Sequence, residues 1–509
     1  MDFSSFLGAA GIVFSPLGLL VNFMGVLFGI LAGAMPGLSA IMAITLILPL
    51  SFSLDGLYGI LMILGVFCGA IYGGSITAIL INTPGTANSA ATCLDGYPMA
   101  YTLKQPGRAL SISTTASTFG GLLSAIALLF TAPLLAKVAL SFGVSEYFAL
   151  GIFGLSIVTG VSSKSIKKGL LGAMLGLLLG TVGMDSTSAT MRYTFGTTYL
   201  IGGIAFVPML IGLYALSQCL ITAEESLKGS AQRTKIKLTQ ILPTRKDFKL
   251  CLPTFLRSSI LGTLIGAIPG TGGDIACWVG YNEAKRFSKH PEEFGHGAPE
   301  GIAAPEAANN AVSGGALIPL LTLGIPGDAG TAIMLGALMM QGITPGPLLF
   351  TTQTEKVYVI IIGLFLANVI MCLLGFSGIK LFSKISSVPM KWLTPIVFMF
   401  CVVGTYALNN NMNDIYLMLI AGILAYFLIK MDFPMPPVIL GLILSGTVEN
   451  NLRRTIVLAD GKFFSFILHR PIALILLLIA IVSLFYPIFI SFYQKKKDKE
   501  KTVAQNSDL

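Results

Sequence analysis

The sequence predicts an all-α polytopic membrane protein of about 12 transmembrane helices, arranged as two inverted repeats with broken or re-entrant helices at Pro-Gly motifs. Three observations carry that prediction. Of 509 residues 54% are hydrophobic and 11% charged, against roughly a quarter charged in a soluble domain. Apolar stretches near the ~20 residues that span a bilayer recur, among them Ile112 to Leu135, Tyr358 to Phe376 and Ile472 to Tyr493. One pattern, GxLxGAxPG, also occurs twice, as GILAGAMPG from Gly29 to Gly37 and GTLIGAIPG from Gly262 to Gly270.

The repeat extends beyond that motif. Gly73 to Ala87 read GGSITAILINTPGTA and Gly314 to Ala329 read GGALIPLLTLGIPGDA, and a fainter echo joins Asp95 to Pro98 (DGYP) with Gln341 to Pro345 (QGITP). The domains expected are an N-terminal apolar segment (1–19), a first membrane repeat (20–221), a basic cytoplasmic linker (222–253), a second repeat (254–465), a C-terminal transmembrane helix (466–493) and a basic cytoplasmic tail (494–509). An odd number of crossings per repeat would invert the second copy relative to the first. The small-residue spacings Gly25, Gly29, Gly33 and Gly262, Gly266 read as helix-packing devices.

The net charge of +9 is concentrated in short connections: Lys164, Lys167 and Lys168, then Lys228 to Lys249, then Lys495 to Lys501. Such segments are cytoplasmic by the positive-inside rule, and their spacing does not suit a nucleic-acid surface. Asp2 precedes any basic residue and none occurs before Lys104, so a cleaved signal peptide is not expected and the N-terminus is placed outside. The seven cysteines stand singly without a CxxC pair and read as reduced packing residues. Neither a zinc site nor a hydrolase triad has a candidate, so the chain does not read as an enzyme. Asp185 and Arg192 are expected to form a structural pair. Glu283, Lys285, Arg286, Lys289, Glu292 and Glu293 are expected in a solvated loop.

The chemistry is expected at four Pro-Gly pairs within apolar sequence: Pro36-Gly37, Pro84-Gly85, Pro269-Gly270 and Pro326-Gly327. Proline removes a backbone donor and glycine relaxes the turn. A helix broken there must be buried in protein or line a watery cavity. Half-helices starting after such breaks aim N–H groups at the cavity, which suits an anion, and freed carbonyls suit a small cation. Ser39, Asn82, Thr83, Thr86, Asn88, Thr271, Gly272 and Gly273 flank the breaks with small or oxygen-bearing groups. Asp274, Glu306 and Asp328 are ionisable groups in membrane-embedded sequence and count as functional candidates.

GAMPGLSAIMAITLILPLSF from Gly33, YGGSITAILINTPGTANSAATCLDGYPMA from Tyr72, and the stretch from Ser288 that reads SKHPEEFGHGAPEGIAAPEAANNAVSGGALIPLLTLGIPGDAGTAIMLGAL resemble the TctA large permease of tripartite tricarboxylate transporters. The resemblance runs over nearly the whole chain. It implies a permease working with a small membrane subunit and an extracytoplasmic solute-binding protein in the bacterial inner membrane. A carboxylate such as citrate would be the solute, Na+ or H+ the coupling ion, and no other cofactor is implied. A homo-oligomer is compatible with it. The family's motifs fall on the four Pro-Gly pairs and on Glu300, Glu306, Asn309 and Asn310. Asp328, where a small residue is expected, and Thr86 depart from the pattern, which leaves room for another organic acid.

Overall fold

The computed structural model describes residues 3–35, 38–161, 165–185, 188–226, 242–385 and 390–484. Helices α1 (Phe3–Val13) and α2 (Pro16–Gly33) open the chain. After the first break come α3 (Ala40–Phe52) and α4 (Gly56–Ile81). Beyond the second lie the short helices Cys93–Tyr97 and Pro98–Thr102, then α5 (Pro106–Ala139). Next follow α6 (Val144–Val161), α7 (Ile166–Gly180) and an antiparallel hairpin pairing Gly183–Met184 with Met191–Arg192. Three contiguous pieces, Phe206–Leu210, the π-helical Ile211–Leu216 and Ser217–Ser226, make α8.

The later half comprises α9 (Arg245–Gly266), α10 (Gly272–Phe287), α11 (Pro299–Leu323), α12 (Ala329–Met340) and α13 (Thr354–Ile385). It ends with α14 (Met390–Asn409), α15 (Met412–Lys430), α16 (Met435–Leu458) and α17 (Pro471–Leu484). Seven helices among the described residues are long and apolar enough to cross a membrane by length and composition, and six shorter apolar helices accompany them. The segments after the first and last breaks, α3 and α12, are short, with 13 and 12 residues. That is the length left when a Pro-Gly pair divides a span.

Two segments differ from the expectation. Helix α9 begins at Arg245, inside the stretch read as linker, because Thr244 caps it by accepting the Asp247 N–H at 3.1 Å. Asp247 in turn holds Arg108 at 2.6 Å. Glu283, Lys285 and Arg286 lie on α10 and not in a loop: the helix runs on to Phe287, with basic residues in its last turn favoured by the helix dipole. Arg257 meets Glu283 there at 3.5 Å.

The chain forms two compact units, and each draws on both motif halves. One contains residues 141–204 and the chain from 428 onward. Within it α16 packs on α7 so closely that a Cβ at Gly176 would strike the Val438 carbonyl, and one at Gly441 the Ala173 carbonyl. Its polar edge is an ion quartet. Arg192 binds Glu449 at 2.6 Å and Asp185 at 3.6 Å, while Arg453 binds Asp185 at 2.8 Å and Glu449 at 2.6 Å. The expected Asp185–Arg192 pair is thus half of a larger, charge-balanced network.

The other unit contains residues 1–140 and 205–427, and the glycine spacings set its packing. Cβ atoms at Gly25, Gly29 and Gly33 of α2 would collide with the α4 backbone at Met62, Val66 and Ala70. At Gly262 and Gly266 of α9 they would collide with α11 at Ala308 and Val312. Glycine permits both close crossings. A third, between α5 and α11, puts Gly120 on the Ala307 carbonyl. Helix α11 is the hub, buried along nearly its whole length.

Candidate functional site

The site is built where helices stop. At the second break, Asn82 ends α4 in a left-handed conformation (φ +53°). Gly85 then turns under the end of α2, its N–H donating to the Gly74 carbonyl at 3.1 Å. A Cβ there would strike the Gly33 carbonyl and Gly74. The last break is laid out alike: a Cβ on Gly327 would strike the Gly266 carbonyl and Ala316, the residues matching Gly33 and the neighbour of Gly74's counterpart. Gly270 of the third break donates its N–H to the Gly327 carbonyl at 2.7 Å. The first pair, Pro36-Gly37, lies outside the described residues, but the flanking Ser39 caps α3 by accepting the Met42 N–H at 3.2 Å.

One contact joins the two motif halves at these breaks. A Cβ on Gly273, in the first turn of α10, would fall against the side-chain amides of both Asn88 and Asn309. Asn88 follows the second break and Asn309 lies in mid-α11, so three chain segments meet at a point with no side chain of its own. Asn309 is fully buried, yet neither its oxygen nor its nitrogen has a hydrogen-bond partner. A buried amide left unpaired costs about 1–3 kcal/mol. Asp274 and Asp328 both lie beside Gly272, which needs its glycine for φ +67°.

The remaining candidates separate by role. Asn82, Thr83 and Pro84 are exposed, while Thr86 is buried against Gly74 and shares a 3.3 Å hydrogen bond with Ser89. Pro269 and Pro326 are buried. Thr271 donates its hydroxyl back to the Ile268 carbonyl at 2.8 Å and to that of Ile265 and so does not cap α10, whose first-turn N–H groups at Asp274 and Ile275 meet the Asp274 carboxyl instead. Asp328 has a structural task, since it forms a capping box on α12, accepting from the Thr331 N–H at 2.7 Å and hydroxyl at 2.6 Å. Asn310 donates to its own helix at the Glu306 carbonyl at 3.0 Å. Glu300 receives the Ser288 hydroxyl at 2.5 Å, away from the breaks.

Glu306 is fully buried, one turn before Asn309. Its carboxyl accepts from Ser75 at 2.5 Å, Thr92 at 2.5 Å and Ser117 at 3.1 Å. Sequence reasoning singled out the acid but none of these hydroxyls; Ser117 lies in the run Ser111 to Thr118, SISTTAST, and Ser75 and Thr92 lie outside it. It also passed over Asp95 beyond its place in a motif echo. That side chain is fully buried and accepts the N–H groups of Gly295, Gly297 and Ala298 at 2.8–2.9 Å and the Tyr281 hydroxyl at 2.9 Å. It therefore anchors the approach to α11, with its negative charge at the positive end of that helix.

Residues 19–440 match the profile of the Tripartite tricarboxylate transporter TctA family. The chain is 37% identical over 486 residues to an "Uncharacterized 52.8 kDa protein in TAR-I ttuC' 3'region" of Agrobacterium vitis, covering 95% of this chain and 96% of that one. A second protein of that organism, "Uncharacterized protein in TAR-II ttuC' 3'region", is 38% identical over 235 residues, 46% of this chain and 97% of its own length. No solved structure matches. With a helical, membrane-spanning architecture, paired Pro-Gly breaks and a family match over most of its length, this chain belongs to the tripartite tricarboxylate transporter TctA family, a transporter family and not a class of enzymes.

Proposed function

We propose that the chain is the large permease subunit of a binding-protein-dependent tripartite system that imports a tri- or dicarboxylate, such as citrate, by alternating access. A cation gradient drives it, with sodium as the coupling ion. Asn309 carries this reading: a buried, unpartnered amide facing a side-chain-free point where segments of both motif halves meet. The Asn88 Nδ2 at that point is a donor suited to a carboxylate, and the Asn309 Oδ1 beside it is an acceptor suited to a cation. Asp274 and Asp328 lie beside Gly272, which precedes Gly273 at that point. Like charges at ~4 Å repel by about 4 kcal/mol at an effective dielectric of 20, so an arriving carboxylate needs a cation beside those two acids. That requirement supplies the coupling.

In this reading an extracytoplasmic solute-binding protein delivers the anion and a small membrane subunit completes the complex. The multi-pass chain sits in the bacterial inner membrane with its C-terminus in the cytoplasm. The test is uptake of labelled carboxylates into proteoliposomes holding all three components, with sodium and proton gradients imposed separately. The expected result is accumulation of at least one carboxylate that requires the binding protein, collapses with the sodium gradient and is lost in Asn309→Ala at normal membrane levels. Flux indifferent to both gradients and to the binding protein would make the chain a passive channel and overturn the proposal.

A further inference from the structure

Outside the breaks, a cavity of about 300 Å³ lies where α2, α4 and α13 begin, lined by Ile12, Asp55, Leu57, Tyr58, Gln341 and Lys356. We propose that it binds a phospholipid headgroup carrying a phosphate and a primary ammonium, with Lys356 on the phosphate and Asp55 and Gln341 on the ammonium. This site is independent of the solute that the chain moves. Three polar groups meet in it without partners of their own. Asp55 holds the N-cap position of α4, yet its carboxylate makes no capping hydrogen bond. Lys356, in the first turn of α13, forms no ion pair among the described residues. Its neighbour Glu355 turns instead to α1, where its Oε1 would lie 2.7 Å from a Cβ on Gly8. The Gln341 amide donates to the Ser51 carbonyl at 3.3 Å, while its Oε1 is buried and unpaired.

The depth of the cavity selects a lipid. Helices α2, α4 and α13 are three of those long and apolar enough to cross a membrane, so the end at which they start lies at headgroup level. Helix α1 has 11 residues, too few for the ~20 that span a bilayer, and it packs on α13 with Phe6 edge-on to Tyr358 at 5.6 Å. Phe14 and Leu17, close in sequence to the lining Ile12, are exposed and offer acyl chains an apolar path away from the cavity. The polar lining then selects the headgroup. A phosphate alone would suit Lys356 and be repelled by Asp55. An ammonium beyond the phosphate satisfies both signs, and its N–H groups supply the donor that the Gln341 Oε1 lacks. Phosphatidylethanolamine has that order of charges, phosphatidylglycerol lacks the cation, and phosphatidylcholine has the cation without an N–H.

The test follows thermal unfolding of the delipidated full-length protein in detergent as a single lipid is added. Phosphatidylethanolamine should raise the melting temperature saturably, and phosphatidylglycerol and phosphatidylcholine should each need far more lipid for the same shift. Lys356→Gln and Asp55→Asn should each raise the half-saturating amount of phosphatidylethanolamine about tenfold, the effect of losing one hydrogen bond to a charged group. Lys356→Arg keeps the cation and should keep the response. Both side chains are at least partly exposed, so neither substitution opens a core. Soluble phosphoethanolamine separates a lipid from a free zwitterion, and it should stabilise the protein only at concentrations well above those of the lipid. Stabilisation by the soluble compound at lower concentration than by the lipid would overturn the assignment to a lipid. Equal responses to the three lipids, or an unchanged response in both charge variants, would overturn the site. If a variant does not fold, the wild-type ranking of the three lipids decides.

Discussion

The two copies of the motif share a skeleton and divide the chemistry. Gly33 and Gly266 admit the same close helix crossings, and Gly85 and Gly327 tuck under the ends of α2 and α9. Around that skeleton the first copy is neutral and the second acidic. Ser39 and Thr86 occupy the places that Gly272 and Asp328 take in the second copy, and Gly65 and Cys68 of α4 match Glu306 and Asn309 of α11. Glu306 of the later half accepts from hydroxyls of the earlier one, while Asp95 of the earlier half accepts from N–H groups of the later. A duplicated motif that keeps its packing and loses its polar symmetry brings two unlike sets of side chains to the breaks.

The harshest way to break this comparison is to fill the shared skeleton. Gly85→Val and Gly327→Val each force a side chain into backbone. Such overpacking costs about 1–3 kcal/mol or more, so both should abolish uptake and lower the melting temperature in detergent. Gly446 on α16 has open space around its Cβ position. Gly446→Ala should leave uptake unchanged and stabilise its helix by up to ~1 kcal/mol. Tolerance of one break substitution and not the other would show that the two glycines are not equivalent.

The halves also clasp each other, unequally. Asp95 of the first grips the loop before α11 of the second, and Gln341, its motif counterpart, donates from the second half to the Ser51 carbonyl ahead of α4 at 3.3 Å. Asp95→Ala leaves three N–H groups and the Tyr281 hydroxyl without an acceptor. Hydrogen bonds to a charged group are worth about 1.5–3 kcal/mol each, and stranded buried donors add to the loss. We expect a destabilisation of about 3 kcal/mol, measured by thermal unfolding in detergent, with Asp95→Asn recovering part of it.

How much of this was legible in the sequence follows from the range of each contact. Breaks at Pro-Gly are local, since the pair itself carries the signal, though single prolines such as Pro305 and Pro319 sit inside α11, and the glycine ladders announce close packing by spacing alone. The partners of Glu306 are 189 to 231 residues away, and those of Asp95 about 200. Serine and threonine in an apolar helix usually bond their own carbonyls one turn back, as Thr114 and Thr115 do here, so nothing local marks Ser75 or Ser117 as different. Asp328 carries a second, local signal. A burial argument singled it out, and the Asp-x-x-Thr spacing of an N-terminal cap, visible in the sequence, accounts for its position.

That double identity can be separated by making the second copy resemble the first. Asp328→Thr keeps a capping hydroxyl and removes the charge. Threonine caps nearly as well as aspartate, so the stability change should stay within about 1 kcal/mol. If Asp328 also helps to hold the coupling cation, half-maximal uptake should require more sodium while maximal uptake changes little. An unaltered sodium dependence would leave the residue as a cap and give the cation to Asp274 alone.

The smallest effect is expected at Gln341. Its nitrogen donates to Ser51 and a Cβ on Gly59 would strike that same amide, but its oxygen is buried without a partner. Removing the side chain loses one neutral hydrogen bond, about 0.5–1.5 kcal/mol, and removes an unsatisfied acceptor at the same time. The two terms oppose each other, so Gln341→Ala should shift the melting temperature far less than Asp95→Ala, and in either direction. A loss as large as that of Asp95→Ala would mean that the clasp from the second half bears equal weight, and that the asymmetry of charge between the halves does not extend to their mechanical coupling.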